Sequence, residues 1–143
     1  MAPRLNSHTG MILIASYLVL LLVNSLTVYL GSLIFTSFIV LGTHELTPLF
    51  AVLLSTGILS LICTFAIPFV RVYENYSHKM FTTPQWMGVY FTINFITIWL
   101  ITRFAFQLGF GISSWMVALV LAVILDVLQG LAIKSLGKCP VLS

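Results

Sequence analysis

Apolar residues run almost unbroken through four stretches of this chain, separated by three short polar intervals. From Met11 to about Val40 no residue is charged. A helix crosses the hydrocarbon core with about 20 residues, so this first run is longer than one crossing needs. The excess goes into tilt, or into an interfacial end beginning near Thr36. A turn follows from Gly42 to Pro48, with His44 and Glu45 at its tip. Thr47 can cap the next helix and Pro48 suits its first position. That helix is expected from about Pro48 to Val70, with Pro68 stopping or kinking it near the end.

The interval from Arg71 to Pro84 is the most polar and holds Arg71, Glu74, His78 and Lys79. Tyr73, Tyr76, Phe81 and Trp86 around it suit an interfacial aromatic belt. A third helix is expected from Gln85 or Trp86 to Leu108. The link from Gly109 to Ser114 is glycine-rich and uncharged, and Ser113 or Ser114 can cap a fourth helix from about Trp115 to Leu136.

The pattern repeats. Asn24, Thr27, Tyr29 and Leu30 return as Asn94, Thr97, Trp99 and Leu100, about 70 residues later. Each copy sits in a long apolar run that is followed by a second one. The fold class expected is therefore all-α: one domain, 1–143, of four transmembrane helices in two tandem hairpins. The first repeat covers about 11–71 and the second about 86–138, joined by the 71–84 loop.

Composition agrees. The chain is 60% hydrophobic and 6% charged, where an ordinary soluble domain is about a quarter charged. Lipid must be part of its solvent. The net charge is +3 and the pI about 9.1, but no basic run or stripe points to nucleic acid. The cations sort by side instead. Arg4, Arg71, Lys79, Lys134 and Lys138 fall on one side of the predicted spans and Arg103 toward the other. Positive charge marks the cytoplasmic side. Both termini and the central loop are then cytoplasmic, the hairpins cross in the same direction, and the protein belongs in the cell (inner) membrane. The repeats would be parallel, related by an axis along the membrane normal.

The aliphatic run into Asn24, then Val40, Leu41, Gly42 and Thr43, Leu46, Thr47 and Pro48, Ala51, and Ile67 with Pro68, together resemble phage-holin family 4. The second half adds the stretch Asn94–Leu100, Gly109 with Phe110, and Trp115 to Ala118. This similarity spans about residues 20–130 and implies a small four-helix membrane protein; the family name implies lysis by pore formation. Arg103 and Asp126 depart from the family pattern.

Of these, Asp126 is the sharpest candidate for chemistry. Asp126 lies about halfway along helix 4, where an ionised carboxylate costs roughly 2.5–3.5 kcal/mol on the insertion scale. Ala118, Ala122 and Gly130 share its face at four-residue spacing, so it should point into a protein contact. Asn94 lies at similar depth and is the expected hydrogen-bond partner. Arg103 is shallower; it either stretches to Asp126 or snorkels to the interface. Asn24 with Thr27, and Asn94 with Thr97, each form a small polar patch on one helical face. The candidate set is thus Asn24, Thr27, Asn94, Thr97, Arg103 and Asp126, read as a polar clamp between helices, with a proton or ion path as the rival. Thr56, Ser60 and Thr64 recur every four residues on helix 2 and let helices approach closely.

Nothing else carries a catalytic pattern. His44 with Glu45 lacks the second histidine of a zinc helix, and Cys63 and Cys139 have no metal-type spacing. No histidine lies inside a predicted helix, so no cofactor is expected. The function expected is a non-enzymatic accessory or structural membrane protein. Its partners would be lipid and other membrane subunits or copies of itself, and a holin-like pore is the alternative.

Overall fold

The computed structural model describes residues 7–136 of the 143-residue chain, with side chains from residue 10 onward. Arg4, Lys138 and Cys139, and with them the placement of both tails, lie outside the described residues. The elements are α1 (Ser7–Ile34), β1 (Ile39–Leu41), α2 (Pro48–Ser77), α3 (Thr83–Arg103), α4 (Ala105–Leu108), β2 (Phe110–Ile112) and α5 (Trp115–Leu136).

Three of these helices, α1, α2 and α5, are long and apolar enough to cross a membrane, which marks the chain as a membrane protein. α3 is not in that class. Its 21 residues include Thr92, Asn94, Thr97, Thr102 and Arg103, which lower its hydropathy although it packs against α5 and α2. The core between the helices holds Leu20, Val28, Leu59, Ile98, Leu121, Ala122 and Leu125. Leucine, isoleucine and phenylalanine side chains cover much of the outside, the inverse of a water-soluble bundle.

The all-helical expectation misses a small sheet. The first run does not stay helical to Val40; α1 ends at Ile34, and residues 39–41 pair antiparallel with 110–112. Val40 faces Gly111 and Leu41 faces Phe110. The ladder extends through the Gly42 N–H, which donates to Gly109 O over 2.7 Å, and the Ser113 N–H, which donates to Phe38 O over 3.0 Å. Backbone that leaves a helix among apolar groups must find partners, and each strand supplies the other's. Gly42 and Gly109 both have positive φ, 90° and 69°, which glycine adopts without steric cost. At Gly109 there is also no room: a Cβ would stand 2.7 Å from Ala51 Cβ.

At the opposite end, Pro68 neither stops the helix nor marks its last turn. α2 runs through it to Ser77, so Arg71 and Glu74 are helical and the loop shrinks to residues 78–82. His78, with φ 52°, ends the helix in the left-handed conformation. Thr82 then starts α3 through a reciprocal capping box with Gln85, earlier than the expected start at Gln85 or Trp86. α3 breaks at Phe104, and residues 105–108 form a separate turn, α4. Thr47 stands at the N-cap of α2 without a side-chain bond, whereas Ser114 Oγ does accept the Met116 N–H, over 3.3 Å.

Burial follows the same rhythm in both halves. In α1 the buried positions include Asn24, Thr27 and Val28; in α3 they include Asn94, Thr97 and Ile98. In α2 Ala51, Val52, Ser55, Thr56 and Leu59 are buried; in α5 Leu121, Ala122, Leu125, Asp126 and Gln129 are.

Candidate functional site

The polar residues of the helices converge on one point. Gln129 of α5 lies between Asn24 of α1 and Asn94 of α3, and all three are 0–1% exposed. The Gln129 Nε2 amide donates to Asn24 Oδ1 over 2.7 Å and to Asn94 Oδ1 over 3.2 Å. Asn94 Nδ2 donates back to Gln129 Oε1 over 2.9 Å. Asn24 Nδ2 donates to Ser60 Oγ on α2 over 2.9 Å, and the Cys63 thiol, also on α2, donates to Asn94 Oδ1 at 3.3 Å. Four helices are thus tied by three amides. An unpaired buried amide costs roughly 2–7 kcal/mol, so this set is stable only while every member keeps its partner.

A second link runs beside it. Ser25 and Thr56 share a hydrogen bond of 2.8 Å between α1 and α2, and Thr56 Oγ1 also lies 2.6 Å from Val52 O. Thr56 and Ser60 of the four-residue stripe of α2 therefore face α1. Its last member, Thr64, is 8% exposed, and its hydroxyl is the one fully covered side-chain polar atom without a partner among the described residues.

The six sequence candidates separate here. Asn24 and Asn94 belong to the network. Thr27 is buried, but its hydroxyl donates to Val23 O of its own helix at 2.7 Å, so it clamps nothing. Thr97 is 4% exposed, and no side-chain hydrogen bond joins it to the amides. Asp126 is 8% exposed, yet the expected Asn94–Asp126 bond is not formed: Asn94 is engaged by Gln129 and Cys63. Arg103 does not reach Asp126 either. Its guanidinium lies over the Trp99 ring at 4.6 Å from the centroid, one turn back on α3.

Gln129 is the residue the sequence reading passes over. A four-residue stripe drifts about 40° per step on a helix of 3.6 residues per turn. Following Ala118, Ala122 and Asp126 one step further leads to Gly130, which is exposed; the buried position is the i+3 residue, Gln129. The signal available was an amide one turn from Asp126 in an otherwise apolar helix, opposite two asparagines in need of partners.

A separate polar set closes the α2–α3 end. Glu74 is 6% exposed. Its Oε1 accepts the Phe81 N–H over 2.7 Å and its Oε2 lies 3.4 Å from Arg71 Nη1. Arg71 in turn lies over the Trp86 ring, 5.5 Å from the centroid. Tyr73, Phe81, Trp86 and Tyr90 form a continuous aromatic row. On the outside of the bundle, α1 and α5 leave a groove of about 440 Å³ lined by side chains such as Leu26, Gly31, Val120 and Ile124. Among the described residues no three His, Cys, Asp or Glu side chains come together.

No family model, curated protein or solved structure matches this chain. The polar core can hold helices in register, and the amides of Asn24, Asn94 and Gln129 are neutral and bonded to one another.

Proposed function

We propose that this chain is a non-enzymatic accessory or structural membrane subunit that works through lateral contacts of its outer surface. One observation carries the reading: the Asn24–Gln129–Asn94 network is closed. Its amides bond one another, Ser60 and Cys63, so the polar groups at the centre are occupied in holding the bundle shut. What the molecule offers to others is its apolar exterior, including the α1–α5 groove.

The architecture that goes with this reading has four spans, α3 being the fourth, in two hairpins related by an axis along the membrane normal. Several observations support it. Asn24, Thr27 and Val28 of α1 and Ala51, Val52, Ser55, Thr56 and Leu59 of α2 are buried, and so are the residues at one common offset in α3 and α5. That offset also converts the Val40–Gly111 pair into the Phe110–Leu41 pair, as a two-fold axis through the ladder requires. Five of the six Lys and Arg residues then share a side, which makes both termini and the α2–α3 loop cytoplasmic, with the protein in the cell (inner) membrane.

The test is ion flux through the chain alone. Purified and reconstituted into dye-loaded liposomes, it should leak no faster than empty liposomes. Graded, protein-dependent leak would replace this reading with the holin-like pore, in which several copies line a path with residues such as Asp126.

A further inference from the structure

Asp126 is the polar group of the bundle that the core leaves over. It lies at the middle of α5 and is 92% covered, being 8% exposed, with no hydrogen bond or ion pair among the described residues. Thr64 Oγ1 is the one fully enclosed unpartnered side-chain polar atom among them. The Asp126 oxygens, equally unpartnered, therefore still reach the outside of the bundle. A bare carboxylate at that depth is unstable in lipid and calls for a partner.

No cation among the described residues supplies one. Arg71 is paired with Glu74 and Trp86, and Arg103 lies on Trp99; Lys79 and Lys134 sit at helix ends. The approach to Asp126 is open. Gly130 follows it by one turn, exposed and with nothing within 4 Å of where a Cβ would be. Small residues at such a point let a second helix come close.

We infer that Asp126 anchors a transmembrane helix of a different chain that carries a lysine or arginine near the middle of its span. This rests on the accessory reading above and names the chemistry of its partner. A second copy does not fit, because exposed mid-helix positions of this chain, such as Leu22, Leu26, Leu61 and Val127, carry no cation. The partner's ammonium or guanidinium would neutralise the carboxylate, and its backbone would pass over Gly130.

The full-length protein, labelled with a donor dye, is reconstituted in phosphatidylcholine vesicles with acceptor-labelled polyleucine helices. Each helix carries one central Lys, Arg or Leu. The Lys and Arg helices should associate about ten-fold more strongly than the Leu helix, within the range of single polar contacts in membranes. Asp126→Asn, which keeps the side-chain shape, should reduce them to the Leu level with unchanged circular dichroism. Gly130→Leu, at an open position away from the core, should do the same with Asp126 intact. Lys and Arg helices that bind the wild type no better than Leu overturn the inference. So does binding that survives both variants, or wild-type self-association that Asp126→Asn abolishes, which would assign the site to a second copy. Liposome leak tests the accessory reading without guest helices, so the two can fail separately.

Discussion

Gln129 Nε2 lies 2.7 Å from Asn24 Oδ1, joining residues 105 apart in sequence. The same nitrogen also donates to Asn94. This one side chain therefore bridges the first helix of each proposed hairpin. Removing it leaves Asn24 Oδ1 without its donor and Asn94 Nδ2 without its acceptor. Gln129→Leu should lower stability by about 2 kcal/mol, the order expected when buried polar partners are stranded. Thr27→Val, whose hydroxyl bonds only its own helix, should stay within about 0.5 kcal/mol. Unfolding of both variants in mixed micelles gives the comparison; equal losses would remove Gln129 from its central place.

The β1–β2 clamp gives a second test. Gly109→Ala adds a Cβ where φ is 69° and Ala51 Cβ is 2.7 Å away. The left-handed conformation and the overlap together should cost about 2–4 kcal/mol. Gly88→Ala, in α3 with nothing within 4 Å, should be neutral or stabilising by up to about 1 kcal/mol. Thermal unfolding in detergent orders the two; a tolerated Gly109→Ala would mean the strands contribute little.

Glu74 holds the α2–α3 loop through the Phe81 N–H. Glu74→Ala should free residues 78–82 and speed trypsin cleavage after Lys79 about ten-fold, since hydrogen bonds to charged groups contribute about 1.5–3 kcal/mol. Glu74→Gln keeps an acceptor and should cleave at an intermediate rate. Digestion of purified protein, read by mass, distinguishes these outcomes; equal rates for all three proteins would show that the bond does not order the loop.

The proposed sidedness rests on the cations. Ser77→Cys, in a background lacking Cys139, should resist a membrane-impermeant maleimide added outside intact cells and react after permeabilisation. Labelling from outside would reverse the proposed topology.

The sequence and the structure agree where periodicity decides. The apolar runs place α2 and α5 within a few residues at their starts, and Asn24 and Asn94 are both buried. They part where long-range partners decide. The strand at Ile39–Leu41 reads as a continuation of α1 because its ladder partner lies at Phe110–Ile112. Pro68 reads as a stop or a kink because the local cost of proline is visible in sequence, while the Glu74–Phe81 bond beyond it is not. Asp126 draws attention as the acidic residue of its helix, while the structural amide is Gln129, one turn away. A neutral amide among leucines is a weak signal, and its importance becomes plain only where Asn24 and Asn94 converge on it.

The central claim is that a closed core leaves the outer surface as the working part. Its most direct test is the mass of the tagged chain, extracted from its own membrane in native lipid discs at low expression. The account predicts a complex of fixed stoichiometry containing at least one other membrane protein. A complex made of this chain alone, at a mass of several copies and conducting when transferred to a planar bilayer, would contradict it.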